Sequence, residues 1–247
     1  MYGLKPSHNT MKENNISIII PTLNEAINIK YLLLHLLQNS ATINISEIII
    51  VDCGSTDDTQ KIVVEFSIIN HKIKLILSEK GRAKQMNKGA KIAVGNILYF
   101  LHADSLPPKD FDLYILNEVK TGNSAGCFKM KFDSNHWWLK FTGWLTQFNW
   151  RASRGGDQSQ FITKKLFNDI GCFNEQFTVY EDNDLINKLY ARKEFVVIQK
   201  WLTTSARRYK NNGVWKLQYH FCMIYFKKWT GASAENLYDY YKKNIKE

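Results

Sequence analysis

Residues 16–25 read ISIIIPTLNE, and residues 48–57 read IIIVDCGSTD. Each is a short β-branched run that ends in a polar cluster. The run Ile16–Ile20 stops at Pro21, and Ile48–Val51 stops at Asp52-Cys53-Gly54. An unbroken apolar run of this length suits a strand buried on both faces, and such strands belong to parallel sheets. Helical spacing follows each run. Ile27, Tyr31, Leu34 and Leu37 recur within Asn24–Gln38, and Thr56–Phe66 forms a second periodic stretch with Thr56 in the N-cap position. The alternation continues with a strand at Ile73–Leu77, a helix at Arg82–Val94 stopped by Gly95, and a strand at Ile97–Leu101. This order predicts an α/β fold with a mostly parallel, doubly wound sheet. Ligands of such sheets bind beyond the carboxyl ends of the strands.

Working outward, the second half is less regular. Cys127–Phe132 alternates weakly, as an edge or antiparallel strand would, and Trp137–Trp150 reads as an aromatic helix. Arg151–Asp157 reads as a loop, Gln160–Thr163 as a strand and Lys164–Ile170 as a helix closed by Gly171. Glu181–Lys193 is amphipathic with Leu185, Ile186 and Leu189 inward, and Phe195–Ile198 is a last strand. Residues 213–247 read as two helices split near Gly231. The expected organisation is a flexible leader over 1–15, one α/β domain over 16–210 and a basic, aromatic helical appendage over 211–247.

Composition narrows the function classes. The chain has 247 residues, 45% apolar and 23% charged, which are ordinary globular values and exclude disorder or low complexity as a description of the whole. The four cysteines (Cys53, Cys127, Cys172, Cys222) form no CxxC pair, so neither a disulfide scaffold nor a cysteine zinc site is expected, and a reducing, cytoplasmic setting is. No apolar run reaches the roughly 20 residues of a membrane-spanning helix. The net charge of +10 is concentrated: residues 187–247 carry 13 Lys and Arg against 4 Asp and Glu. One electropositive region, rather than a uniformly basic nucleic-acid coat, is the reading that follows.

Three polar clusters fall at strand ends: Pro21-Thr22-Leu23-Asn24-Glu25, Asp52-Cys53-Gly54-Ser55-Thr56-Asp57 and His102-Ala103-Asp104. Turn chemistry explains any one of them. Three converging on one sheet edge form a site. Together with Gly81-Arg82-Ala83-Lys84-Gln85-Met86-Asn87-Lys88-Gly89-Ala90, Gly156-Asp157-Gln158, Glu181-Asp182 and Thr204-Ser205-Ala206-Arg207-Arg208, they resemble the family 2 glycosyltransferases of GT-A nucleotide-sugar-binding fold. Within that family they resemble the radical-SAM or selenodomain-associated branch, sometimes linked to arsenosugar biosynthesis. The resemblance covers about Ile16–Arg208.

What the resemblance implies can be set beside the chemistry. Glycosyl transfer builds positive charge at the anomeric carbon and negative charge on the leaving diphosphate, and a divalent cation offsets the latter. Mg²⁺ and Mn²⁺ want oxygen ligands, and Asp104 would supply one carboxylate. The family usually has Asp-x-Asp here; this chain has His102-Ala103-Asp104. His102 then either hydrogen-bonds ribose or phosphate or simply caps the strand. The donor, a UDP-sugar by preference, would be bound by Pro21, Thr22, Asn24, Glu25, Asp52, Gly54, Ser55, Arg82, Gln85, Asn87, His102 and Ala103. In that set Asp52 accepts from the base, Arg82 pairs with the diphosphate and Asn87 meets sugar hydroxyls. Asp182 would be the base that takes the acceptor proton in an inverting transfer. Asp157, Gln158, Glu181, Arg207 and Arg208 would stand on the side of the acceptor, which stays unidentified.

Rival readings are weaker. A sugar-nucleotide pyrophosphorylase on the same core needs a glycine-rich first-strand loop, and Pro21–Glu25 has no glycine. A non-catalytic sugar-nucleotide-binding protein would have no need of both Asp104 and Asp182. Nucleic-acid binding predicts basic and aromatic residues interleaved on a sheet, whereas here they coincide in the last helices, with Trp215, Tyr219, Phe221, Tyr225, Phe226 and Trp229 inside 213–229. That coincidence leaves two readings: the helices close the acceptor side of the core with their lysines solvated, or their aromatic side also meets an anionic membrane surface, peripherally at the inner face.

Overall fold

The computed structural model describes residues 15–245, so the expected leader lies, Asn15 apart, outside the described residues. The first half folds as β1 (Ile16–Thr22), α1 (Ala26–Asn39), β2 (Ile45–Asp52), α2 (Thr59–Ile69), β3 (Ile73–Leu77), α3 (Arg82–Ile92) and β4 (Ile97–Phe100). Then come β5 (Ser105–Leu106), α4 (Phe111–Lys120), β6 (Ala125–Phe132), α5 (Trp137–Leu145), β7 (Gln160–Thr163), α6 (Lys164–Asp169), α7 (Glu181–Ala191) and β8 (Val196–Thr204). The chain ends in α8 (Arg207–Asn212), α9 (Val214–Trp229) and α10 (Ala234–Asn244).

Among the described residues one sheet of eight strands runs in the order β3-β2-β1-β4-β7-β6-β8-β5. The half β3-β2-β1-β4 is wholly parallel, as the apolar runs require. Strand β7 turns the direction by pairing antiparallel with both β4 and β6. Both faces are covered. On one, Ile18, Ile20, Ile48 and Ile50 pack under Leu32 and Leu33 of α1, Val63 of α2 and Phe111 of α4. On the other, Ile19, Ile49 and Val51 pack under Met86 and Ala90 of α3 and Leu185 and Leu189 of α7. Consecutive strand residues therefore go to opposite cores, and this is why the runs do not alternate in polarity. The architecture is the expected α/β one, a mostly parallel sheet with helices on both faces. A third cluster joins Leu217 and Ile224 of α9, Leu237 and Tyr241 of α10, and Phe177 from the loop before α7.

Several expectations are corrected. Helix α1 buries Ile29, Leu32, Leu33 and Leu36, while Ile27 is 77% exposed and Tyr31 67%. The helix is apolar on most of its circumference, so spacing alone offers two competing stripes. The chain enters the helix through a left-handed Asn24 (φ 55°). Thr56 is not the cap of α2. That helix begins at Thr59, whose N–H is received by Asp57 Oδ1 at 3.0 Å. Gly95 does not stop α3; a Cβ there would lie 2.7 Å from Ser17 N, so the glycine serves close approach of two backbones. Strand β6 is interior, antiparallel to β7 and parallel to β8, not an edge. The aromatic helix α5 ends at Leu145, five residues early, and the last strand, β8, runs on to Thr204. Helix α4 has no counterpart in the sequence reading.

Candidate active site

The loops after β1 and β2 are laced together by their own side chains. Ser55 Oγ receives Asn24 N–H at 2.8 Å, and Asn24 Oδ1 receives Thr56 N–H at 2.8 Å. Thr59 Oγ1 receives Glu25 N–H at 2.9 Å. Asp52 is the hub. Its Oδ1 accepts from Gly54 N at 3.0 Å, Ser55 N at 2.9 Å and Gln60 Nε2 at 2.6 Å, and its Oδ2 accepts from Thr22 Oγ1 at 3.1 Å and from Ser55 Oγ. Burial pushes its acid up, but the donated bonds from Ser55, Gln60 and Gly54 outweigh that and hold it below the usual carboxylate range. Asp52 is fully buried. The carboxylate, of which a contact with the base is expected, fixes two strand-end loops. Thr22 is buried with it, and Gly54 (φ 94°) supplies the left-handed turn.

Two other expected donor contacts also turn inward. Gln85 is buried on α3 and donates from Nε2 to Thr22 O at 2.9 Å and Val51 O at 2.7 Å. Asn87 donates to Phe173 O at 3.0 Å and to Glu175 at 2.8 Å, and receives Phe173 N–H at 3.1 Å. Both side chains are engaged in holding α3 to its neighbours, so neither offers a free group to a sugar or ribose.

Arg82, one turn before Gln85, reaches the site. Its Nη1 stands 3.2 Å from Glu181 Oε1 and 3.6 Å from Asp182 Oδ2. Both carboxylates sit in the first turn of α7 and are buried. Tyr180 ahead of them is left-handed (φ 83°), an uncommon state for a bulky residue and one that concentrates at functional sites. Burial works to lower the Arg82 guanidinium, but the Glu181 and Asp182 carboxylates win and hold it above the ordinary arginine range. Glu181 goes the other way. Burial first, then the Asp182 charge, push it up to about 7 against the lowering by Arg82. Its Oε1 makes no hydrogen bond, so Arg82 meets it as a charge and not as a donor.

Asp104 and His102 follow β4. Burial raises the Asp104 acid; His102 opposes, while the Asp157 and Glu25 carboxylates add to the rise and Arg207 opposes again. A half-buried oxygen donor in a field of other carboxylates fits a hard divalent cation. Among the described residues no three His, Cys, Asp or Glu converge as a metal cage. The fit is therefore for a shared ion, one carboxylate from the protein and the rest from phosphate oxygens and water. Arg207 forms an ion pair with Glu25, Nη2 to Oε1 at 2.7 Å, across 182 positions of sequence. It stands beside the first-strand loop and near Asp104.

Asp182 lines two spaces. One is a water-sized cavity that it shares with Pro21, His102 and Ser159. The other is a cleft of about 320 Å³ lined also by Arg82, Asp157, Gln158, Glu181 and Arg208. Ala103 is buried beside the first. Gln158 is buried, with Nε2 on Ser153 O at 2.8 Å. Four residues that the motifs did not single out also line the cleft: Arg154, Tyr180, Tyr209 and Tyr225. Arg154 is buried and donates to Thr146 O at 2.5 Å, Phe148 O at 2.6 Å and Cys127 Sγ at 3.1 Å, so it pins the turn that follows α5. An arginine beside the glycine pair Gly155-Gly156 was the only signal available for it.

The comparisons with known proteins agree with this geometry. A family model described as "Glycosyl transferase family 2" matches residues 17–229. The probable glycosyltransferase YdaM of Bacillus subtilis (strain 168) is 26% identical over 202 residues, 73% of this chain and 48% of that protein. The chain spans half or less of the length of the curated relatives it matches. Mannosyltransferase PcManGT from Pyrobaculum calidifontis, solved with GDP-Man and Mn²⁺, superposes with a TM-score of 0.66 at 18% identity, over 94% of this chain and 70% of that one. TarS 1–349 of S. aureus in complex with UDP gives a TM-score of 0.59 at 21% identity, over 77% and 60%. These likenesses establish the GT-A-like fold.

Proposed function

The chain belongs to glycosyl transferase family 2, and from that premise we propose that it moves a sugar from a nucleotide-diphosphate sugar to an acceptor hydroxyl with inversion, Asp182 being the base. The observation that carries the reading is the position of Asp182, on the wall of both the cavity beside Pro21 and His102 and the wider cleft. A base must reach the acceptor hydroxyl whose proton it takes. The acceptor oxygen bonds to the anomeric carbon as the bond to the diphosphate oxygen breaks; the hydroxyl proton passes to Asp182, and the electron pair leaves on the diphosphate. Arg82 Nη1 stands 3.6 Å from Asp182 Oδ2 and fixes that carboxylate beside Glu181.

On the donor side, the loops fixed by Asp52 carry Pro21, Asn24, Glu25 and Ser55 toward the nucleoside, and Arg207 and His102 stand where a diphosphate would lie. A divalent cation held by Asp104 would offset the negative charge growing on the leaving group. We favour a UDP-sugar as donor; of the structural relatives, one holds GDP-Man and another UDP. The motifs Gly81–Ala90 and Thr204–Arg208 support the radical-SAM or selenodomain-associated branch. Four cysteines free of disulfides suit a cytoplasmic enzyme. Among the described residues no helix is long and apolar enough to cross a membrane; we assign the C-terminal helices to an anionic membrane surface.

Asp182→Asn keeps the shape and removes the base. Turnover should fall by about 10²- to 10⁴-fold while donor affinity holds. Transfer at the parent rate would overturn the assignment. Donor hydrolysis separates the enzyme from the rival reading, a sugar-nucleotide-binding protein. For the cation, calorimetry of UDP should give tighter binding with Mn²⁺ than with chelator, and Asp104→Asn should abolish the difference. Equal affinity in both would mean that His102 and Arg207 hold the diphosphate alone.

A further inference from the structure

The lining of the cleft beside Asp182 is of two kinds. Its charged residues are Arg82, Arg154, Asp157, Glu181, Asp182 and Arg208. Its apolar part includes Leu145 of α5, Phe221 and Ile224 of α9, and Met130 and Phe132 of β6. The polar residues of that wall do not make it polar. Thr142 Oγ1 donates to Leu139 O at 3.2 Å, and Thr146 Oγ1 donates to Gly143 O at 2.6 Å while receiving Met130 N–H at 2.8 Å. Hydroxyls engaged with backbone leave methyl groups as the surface open to contact. Gln218 is engaged as well, its Oε1 receiving Trp138 Nε1–H at 3.3 Å, a bond that also ties α5 to α9.

A sugar lying along such a wall would bury hydroxyls without partners, at about 1–3 kcal/mol each. An apolar chain would bury nothing that needs a partner. The same two helices carry aromatic rings outside the cleft: Trp138 meets Trp215 at 5.2 Å between centroids, and Trp137 and Trp215 are more than half exposed. The apolar wall thus continues onto the rim.

We propose that the acceptor is a hydroxyl-bearing amphiphile, with its hydroxyl at Asp182 and the first carbons of its apolar tail between α5 and α9. This rests on the reading of Asp182 as the base. The volume of about 320 Å³ is at the small end for a ligand site, so it admits a head and a short length of chain, with the remainder passing over the rim.

The probes are alkyl glucosides of rising tail length, methyl, butyl, hexyl and octyl, used below the concentration at which they form micelles. Calorimetry on the full chain should show affinity rising by about threefold per methylene over the first several carbons, then levelling. Phe221→Ser should flatten that rise, and Thr142→Val, which keeps the methyl surface, should preserve it. Affinity independent of tail length would overturn the inference. So would a rise that Phe221→Ser leaves intact, since that would mean adsorption on the outer rings. Donor turnover measured on the same samples keeps the two readings apart. Turnover with no dependence on tail length sinks the amphiphile alone. Tail-dependent affinity with no turnover of any nucleotide sugar supports the cleft and sinks the transferase reading.

Discussion

Glu181 sits in an environment far from water. It lies against a second carboxylate, out of solvent, with a cation beside it that donates no hydrogen bond to Oε1. Its acid is raised from an ordinary 4.5 to about 7. The folded state then keeps a proton between those values that the unfolded chain gives up. Stability from this group is fully present below 4.5 and is lost as pH rises through about 7. Glu181→Gln should remove that slope and make the protein more stable than the parent at pH 8, by about 1–3 kcal/mol. Melting temperature measured at intervals from pH 5 to pH 8 decides it; parallel curves for the two proteins would refute the shift. Single residues were legible from the sequence where the motif is local, as with Glu181-Asp182 at a helix start. Asp52, Gln85 and Asn87 were read as donor contacts because their type suits a polar ligand. Only the fold reveals that a backbone carbonyl or N–H already occupies them.

At the scale of elements, the strands were read well and the helices partly. A strand buried on both faces carries its own signal, since β-branched runs such as Ile48–Val51 have no rival explanation. The face of α1 was not readable, because two apolar stripes compete on one helix. Helix α4 escaped because it follows Pro107-Pro108 and starts at a left-handed Asp110 (φ 60°) that forms no side-chain cap. The interior place of β6 depends on β8, about 70 residues on, which no local pattern encodes. Gly126 shows how closely those two strands meet. A Cβ there would stand 2.4 Å from Val196 O and 2.7 Å from Phe161 Cε1, and neither the backbone nor a buried ring can give way cheaply. Gly126→Ala should cost about 1–3 kcal/mol or more by overpacking. Gly122→Ala meets no atom within 4 Å, so its smaller cost comes from φ 100° alone. Urea midpoints of the pair give the comparison, and an undisturbed Gly126→Ala would mean that β6 and β8 do not pair as described.

For the whole molecule, the decisive asymmetry is the charge of residues 187–247, 13 basic against 4 acidic. The fold gives that asymmetry an aromatic companion. Rings follow one another from Trp215 through Trp138, Phe141, Trp144 and Phe148 to Trp150, at centroid spacings of 4.7 to 6.2 Å. Trp229, at the end of α9, is 82% exposed. Not all of the charge is free to act outward: Lys227 lies over the Tyr240 ring at 5.0 Å and Lys228 over Phe177 at 4.7 Å, while His220 Nδ1 meets Tyr240 Oη at 2.8 Å. Through His220 and Lys227, α9 thus leans partly on α10. Each Lys or Arg near an anionic bilayer adds on the order of 1 kcal/mol, screened within a Debye length of about 10 Å at about 0.1 M salt. Inserted rings add a part that salt does not screen. Two kinds of variant should therefore separate. Lys242→Glu with Lys243→Glu should weaken co-sedimentation with phosphatidylglycerol vesicles and reduce its dependence on salt. Trp137→Ala with Trp215→Ala should weaken it at every salt concentration while leaving that dependence unchanged. If the parent protein stays in the supernatant with phosphatidylglycerol at low salt, the membrane assignment fails, and the basic end must face an acidic soluble molecule instead.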